Sequence, residues 1–202
     1  MKKLTLSAGL ILSSFGFGAA SQAAVTDGWT RYTASYGVQN RTNGASLPSR
    51  FTFSGGIYTT TVFAGEERVE MRWRDWPSQS RDNMWDGDIN FDSRTLKTCI
   101  MQIKSNTGGE PIYLQVTSSG TLRNDGASTF ASGMANTWFR WNALFNPANG
   151  DSKGYINGSQ KVSRSYSTSD RHWYFKNGTY NNGLPSGGKS TAQFRNISHW
   201  YK

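Results

Sequence analysis

Cysteine is almost missing from this sequence. Cys99 is the only one in 202 residues, so no internal disulfide can form and the fold has to rest on a buried core, which a chain of this length can supply. Histidine is nearly as scarce. His172 and His199 make no spaced cluster with Cys99, so neither a structural metal nor a cofactor is expected. Acidic residues are few, 13 against 22 Lys and Arg, yet charged residues are only 17% of the chain, which excludes a disordered polyelectrolyte. Helical periodicity is lacking: no window keeps an apolar stripe at helical spacing. Beyond the first residues no apolar run approaches the roughly 20 needed to cross a bilayer, so no membrane span is expected.

The first residues have the form of an export signal. Lys2 and Lys3 precede the apolar Leu10-Ile11-Leu12, and the small-residue segment Ala19-Ala20-Ser21-Gln22-Ala23 follows. Cleavage after Ala23 would remove 1–23 and leave 24–202 as one domain. No cysteine follows the small residues to accept a lipid, so a secreted or periplasmic bacterial protein is expected.

What is present is glycine and aromatic residues. With 22 Gly, 8 Trp, 9 Tyr and 11 Phe against 5 Pro, the composition is that of antiparallel sheet. Turn signals recur at Ser54-Gly55-Gly56, Asp86-Gly87, Asn106 to Gly109, Ser119-Gly120, Asn149-Gly150, Asn157-Gly158, Asn177-Gly178 and Ser186-Gly187-Gly188. Between them lie strand-like runs: Ile57 to Phe63, Arg68 to Trp73, Thr98 to Lys104, Ile112 to Thr117, Trp138 to Phe145, Trp173 to Lys176 and Gln193 to Trp200. Gly154 to Val162 reads as a hairpin closed by Asn-Gly. The expected fold is all-β, a two-sheet antiparallel sandwich or jelly roll.

Three of these runs carry unusual polar residues. In Arg68-Val69-Glu70-Met71-Arg72-Trp73 alternation puts the charges on one face and Val69, Met71 and Trp73 on the other; a solvated outer face would look the same. In the second run Cys99, Met101 and Ile103 fall on one side and Ile100, Gln102 and Lys104 on the other. There Gln102 and Lys104 either line a wet cleft or mark a strand leaving the core. In Tyr174 to Asn182, Tyr174 and Lys176 share a face and a turn at Gly178 re-aims Tyr180; packing at a strand end is the plainer reading.

In order along the chain, these blocks resemble those of alginate-lyase-type polysaccharide lyases. Arg68-Val69-Glu70-Met71-Arg72 is similar to the R-S/T-E-L-R block, Gln102-Ile103-Lys104 to Q-I/V-H, and Tyr174 to Asn182 to Y-F-K-x-G-x-Y-x-Q. Two positions depart: Lys104 stands where the family has histidine and Asn182 where it has glutamine. The resemblance implies a jelly roll whose concave sheet binds an anionic polysaccharide and cleaves it by β-elimination.

That chemistry needs donors aimed at a uronate carboxylate, a base for the C5 proton and an acid for the departing C4 oxygen. Removing one such donor costs roughly 3 kcal/mol of barrier. Arg68 or Arg72 with Gln102 would neutralise the carboxylate. Tyr180 would transfer protons, because nearby cations favour a phenolate whose usual pKa is about 10. Lys104 admits two roles, a base if its pKa is depressed or a charged neutraliser, and the second is favoured. Glu70, Tyr174, Lys176 and Asn182 are grouped as substrate-binding residues, Glu70 by holding Arg68 or Arg72 in position, with a surface ion pair as its plainer reading. His172 and His199 are read as structural or rim residues.

In mannuronate and glucuronate the C5 proton and C4 oxygen leave from one side, so one tyrosine could serve both; guluronate wants a separate base. Mannuronate-rich alginate is therefore ranked first and glucuronan or another glucuronate glycan second. The net charge of +9, less Lys2 and Lys3, suits a polyanion. Scattered basic residues, no nucleic-acid motif and export argue against nucleic acid. Trp76 and Trp85 are candidates to stack on sugar, although burial is the commoner fate of a tryptophan. A monomer is expected. The rival reading is a non-catalytic carbohydrate-binding module on the same fold. Glycoside hydrolysis would need a carboxylate pair, and Glu66, Glu67 and Glu70 form no such motif.

Overall fold

The computed structural model describes residues 23–74, 76–166 and 169–202, so the expected leader falls outside the described residues up to Ala23. A helical turn α1 (Ala23–Thr26) is followed by β1 (Thr30–Tyr32), β2 (Tyr36–Arg41), a 3-10 turn (Leu47–Ser49), β3 (Phe51–Ser54), β4 (Ile57–Phe63), β5 (Arg68–Trp73) and β6 (Asn83–Phe91). Then come β7 (Thr98–Lys104), β8 (Ile112–Val116), β9 (Leu122–Asn124), β10 (Thr129–Ala131), β11 (Phe139–Phe145) and β12 (Asp151–Ile156). The chain closes with β13 (Ser159–Ser165), β14 (Tyr174–Asn181) and β15 (Lys189–Tyr201). Among the described residues no helix is long and apolar enough to cross a membrane.

The expected two-sheet antiparallel sandwich is what forms. One sheet runs β13-β12-β11-β6-β15-β4-β3, with β1 added on β15; the other runs β10-β9-β8-β7-β14-β5-β2. In the second sheet β14 pairs with β5 on one side and β7 on the other, so segments roughly 70 to 110 residues apart in sequence become neighbours. Between the sheets lies the core. Trp85, Phe91, Phe139, Trp141 and Phe194 enter it from the first sheet, and Met71, Ile100, Ile103, Leu114 and Phe175 from the second. With no disulfide, this apolar layer is the main source of stability.

The turn signals at Ser54 to Gly56 and Asn157-Gly158 close the β3–β4 and β12–β13 hairpins. Two others do not turn the chain. Asp86-Gly87 lies inside β6, where a Cβ on Gly87 would come within 2.7 Å of the Trp85 ring, so the glycine makes room for an indole lying along its own strand. Asn177-Gly178 lies inside β14, discussed below. Trp85 and Trp76, considered as sugar platforms, are both buried, Trp76 against Phe175 with centroids 4.6 Å apart. Neither presents a face to solvent.

His199 is buried beside Trp73, ring centroids 4.6 Å apart, and Phe175. Burial first, then the charge of Arg31, lowers its pKa to about 3. The unfolded chain takes up this proton near pH 6.5. In the window between those values the unfolded state binds more protons, so stability present above pH 6.5 drains as pH falls toward 3. Going from pH 7 to 4 is expected to remove about 3 kcal/mol through this group alone. Urea midpoints across that range check it: His199→Leu should show a flatter pH dependence, and parallel curves would contradict it.

Candidate active site

Register builds the site on the outer face of the β10–β2 sheet. One row crosses it as Arg41, Arg68, Tyr180, Cys99, Gln115 and Arg123, each the cross-strand partner of the next. A second row runs Arg72, Lys176, Gln102 and Tyr113. Glu70, opposite Gly178, stands between the two rows, and Tyr174 faces Lys104 one step beyond.

Two bulges set this pattern. β14 carries an extra residue against β7 between Asn177 and Tyr180, and β7 carries one against β8 between Cys99 and Met101. Strict alternation puts Cys99 on the core side and Ile100 with Gln102. The structure reverses them: Ile100 joins the core and Cys99 pairs across from Tyr180 on the outer face. A Cβ at Gly178 would lie 2.3 Å from the Val69 carbonyl oxygen, so only glycine permits the strand approach there. The glycine shapes a bulge instead of the expected turn, and β14 continues through it.

Glu70 is the centre of the electrostatics. Its carboxylate is 1% exposed and accepts from Gln102 Nε2 at 2.5 Å, Lys176 Nζ at 2.9 Å and Arg68 at 3.4 Å. Lys176 is itself 2% exposed. Burial lowers its pKa by more than Glu70 restores. Glu70 and Lys176, grouped as substrate-binding residues, therefore meet each other beneath the surface. Gln102 is likewise buried and spends an amide hydrogen on Glu70.

Above this layer lie two cation–tyrosine pairs. Arg68 stacks over the Tyr180 ring, its guanidinium carbon 4.3 Å from the centroid, and also bonds Glu67. Burial would lower the Arg68 pKa, but Glu70 and Glu67 outweigh it and hold the guanidinium firmly charged. Arg72 stacks over Tyr174 at 3.7 Å and donates to Asn106 Oδ1. Tyr174 is buried, donates to the Ser105 carbonyl, and has its pKa raised by burial despite Arg72 and Lys104. Tyr180 is half-buried, and its hydroxyl takes no hydrogen-bond partner among the described residues. Its ring meets Tyr113 edge-on at 6.4 Å.

Lys104 does not join Tyr180. It bonds Glu110 at 2.5 Å and lies five positions along β7 from Cys99, roughly 15 Å of strand. Of the residues expected around one carboxylate, Arg68, Tyr180 and Gln102 share the Glu70 neighbourhood, whereas Lys104 is set apart with Arg72 and Tyr174 on its flank. Asn182 lies past the end of β14, where its Oδ1 accepts from the Tyr113 hydroxyl at 2.8 Å. His172 is exposed and His199 faces away from this sheet surface, in the sandwich interior.

Sequence reasoning missed Tyr113, Gln115, Arg123 and Glu110. The first two alternate with Leu114 and Val116 along β8, a polar face that was legible. Glu110 sits in a loop and had no such signal. Among the described residues no three His, Cys, Asp or Glu side chains are grouped to hold a metal.

No family model matches the chain, and no curated protein is similar to it in sequence. Its fold is similar to solved structures. An alginate lyase AlgAT5 from polysaccharide lyase family 7 is 16% identical with TM-score 0.66, covering 83% of this chain and 94% of that one. The marine family 7 alginate lyase AlyA1 from Zobellia galactanivorans is 16% identical with TM-score 0.62, covering 86% and 95%. Alginate lyase AlyC3 in complex with dimannuronate is 10% identical with TM-score 0.56, covering 71% and 73%. The chain shares the jelly-roll sandwich of these lyases.

Proposed function

We propose that this protein is an exported polysaccharide lyase that cleaves an anionic uronate polymer by β-elimination. The observation that carries the reading is the Arg68–Tyr180 pair: a tyrosine with an unpartnered hydroxyl packed under a guanidinium, beside a buried Glu70–Gln102–Lys176 cluster. The shared fold with alginate lyases, one of them holding dimannuronate, supports the same chemistry.

In this reading the uronate carboxylate lies against Arg68, whose charge offsets the negative charge that develops as C5 loses its proton. The remaining amide hydrogen of Gln102 lies below. Tyr180 accepts the C5 proton and returns one to the C4 oxygen as the glycosidic bond breaks, leaving a C4–C5 double bond on the product. Arg68 over the ring stabilises the phenolate that takes the C5 proton and is restored once that proton passes to the C4 oxygen. Glu70 fixes Arg68, Gln102 and Lys176 in place without touching sugar. Arg72, Lys104 and Arg123 bind neighbouring carboxylates along the polymer.

A single tyrosine suits elimination from one side of the ring, and Lys104, tied to Glu110 on the flank, is a carboxylate neutraliser and not the second base that guluronate wants. Polymannuronate is therefore the first substrate and glucuronan the second. The test is a panel of polyuronates followed by ultraviolet absorbance of unsaturated ends. Polymannuronate should turn over at least about a hundredfold faster than polyguluronate, the effect of losing one proton-transfer group at its weaker limit. Faster polyguluronate turnover would sink the substrate ranking.

One observation favours a binding module instead. Arg68 already spends donors on both Glu67 and Glu70, so an incoming carboxylate has to share it. Polymer binding without any absorbance rise on the whole panel would establish that reading.

A further inference from the structure

At one end of the sandwich, away from Tyr180, a cleft of about 620 Å³ opens between β1, the β3–β4 hairpin and the bulge of β15. Its size is that of a small-ligand site. Phe53, 58% exposed, stacks on Tyr58 with centroids 4.4 Å apart, which offers solvent a flat aromatic surface, and Trp73 continues the wall. Flat aromatic walls of this kind take the C–H face of a pyranose.

Two polar features border the same space. The His199 Nε2 atom is buried and has no hydrogen-bond partner among the described residues, although its residue lines the cleft. A buried imidazole nitrogen left unpaired is costly, and a ligand hydroxyl would satisfy it. With a pKa near 3 the ring is neutral at ordinary pH, so Nε2 either accepts or donates one bond. The second feature is backbone. β15 pairs with β4 up to Phe194 and with β1 from His199, so neither neighbour covers the edge of 195–198 between them. That gap faces the cleft through Asn196 and Ile197.

Charge selects among saccharides. Arg31 is the one formal charge among the described residues that line the cleft, and it is exposed. We infer that this cleft is a second saccharide site, which holds one uronate residue of an acidic glycan by its ring face on Phe53 and Tyr58, its carboxylate on Arg31 and a hydroxyl on His199. The choice of a uronate rests on the function proposed above; the site itself rests on the cleft. Such a site would keep the polymer attached between turnovers by raising its local concentration.

The experiment uses the full chain and the double variant Arg31→Ala/Phe53→Ala. Both side chains are exposed, and unchanged unfolding midpoints confirm that the variant folds. Electrophoresis through gels with and without polymannuronate is run on both proteins in the Tyr180→Phe background, so that the polymer survives. The double variant is expected to be retarded about three- to tenfold less, the scale of one lost aromatic contact. With Tyr180 present, KM for polymer should rise by a similar factor while kcat/KM on a uronate trisaccharide stays unchanged. Equal retardation of the two proteins, or an equal loss on the trisaccharide, would overturn the proposal. Retardation by neutral mannan that depends on Phe53 and not on Arg31 would overturn the acidic ligand. If the parent protein cleaves nothing but the double variant still loses retardation, the lyase reading fails and the cleft stands.

Discussion

Tyr180→Phe is expected to lower turnover of polymannuronate by roughly 10²–10⁴-fold, the usual contribution of a positioned proton-transfer group. Little else should change. The phenyl ring keeps its place under Arg68 and against Tyr113, and the lost oxygen had no hydrogen-bond partner among the described residues. Fold and polymer binding are therefore spared, and the loss falls on kcat and not on KM. Tyr174→Phe supplies the control. That hydroxyl is buried and bonded to the Ser105 carbonyl, so its removal should cost stability of about 1 kcal/mol and leave kcat within a few fold. Initial rates from absorbance of unsaturated ends, measured for both variants, decide the matter. If Tyr174→Phe is the inactive one, the reaction belongs to the Arg72–Lys104 flank and the assignment of Tyr180 is wrong.

Those two tyrosines also mark where sequence reading stopped. Strand identity was legible: the bounds of β4, β5 and β7 follow from runs of β-branched and aromatic residues between turn signals. Which face each side chain takes was legible wherever alternation is unbroken, as in Arg68, Glu70 and Arg72. It failed at Cys99 and Ile100, because a bulge inserts one residue and shifts the count without any local signature. Gly178 and Gly87 were misread as turns for a related reason. Glycine serves either to turn a chain or to let two groups come close, and the sequence does not say which when the close group is Val69, more than 100 residues away. The pairing of Lys104 with Glu110 was equally hidden, since it depends on the path of the loop after β7. The resemblance to lyase blocks named residues that do lie on one sheet face, but not that Glu70, Gln102 and Lys176 would be sealed beneath the others.

That sealed cluster leads to the largest expected effect on stability. Glu70→Gln keeps the shape and can still accept from Gln102 and Arg68, but it leaves the Lys176 ammonium buried without a counter-charge. Removing one partner of a buried pair typically costs about 3–5 kcal/mol, a large part of what a domain of this size has. The pH dependence identifies the cause. Lys176 is already held below its unfolded value of 10.5, chiefly by burial, and without Glu70 it falls further. Between the folded value and 10.5 the unfolded chain binds the extra proton, so stability rises as pH climbs through that window. The window opens at lower pH in Glu70→Gln, and its deficit against the parent should shrink on going from pH 7 to 9. Adding Lys176→Met removes the stranded charge and should restore most of the loss at pH 7, because a well-packed apolar side chain can replace a buried ion with little penalty. Denaturant midpoints of the three proteins at both pH values provide the measurement. A pH-independent deficit, or a double variant less stable than Glu70→Gln, would mean that Lys176 reaches water in the folded protein and that Glu70 organises the face through Arg68 alone.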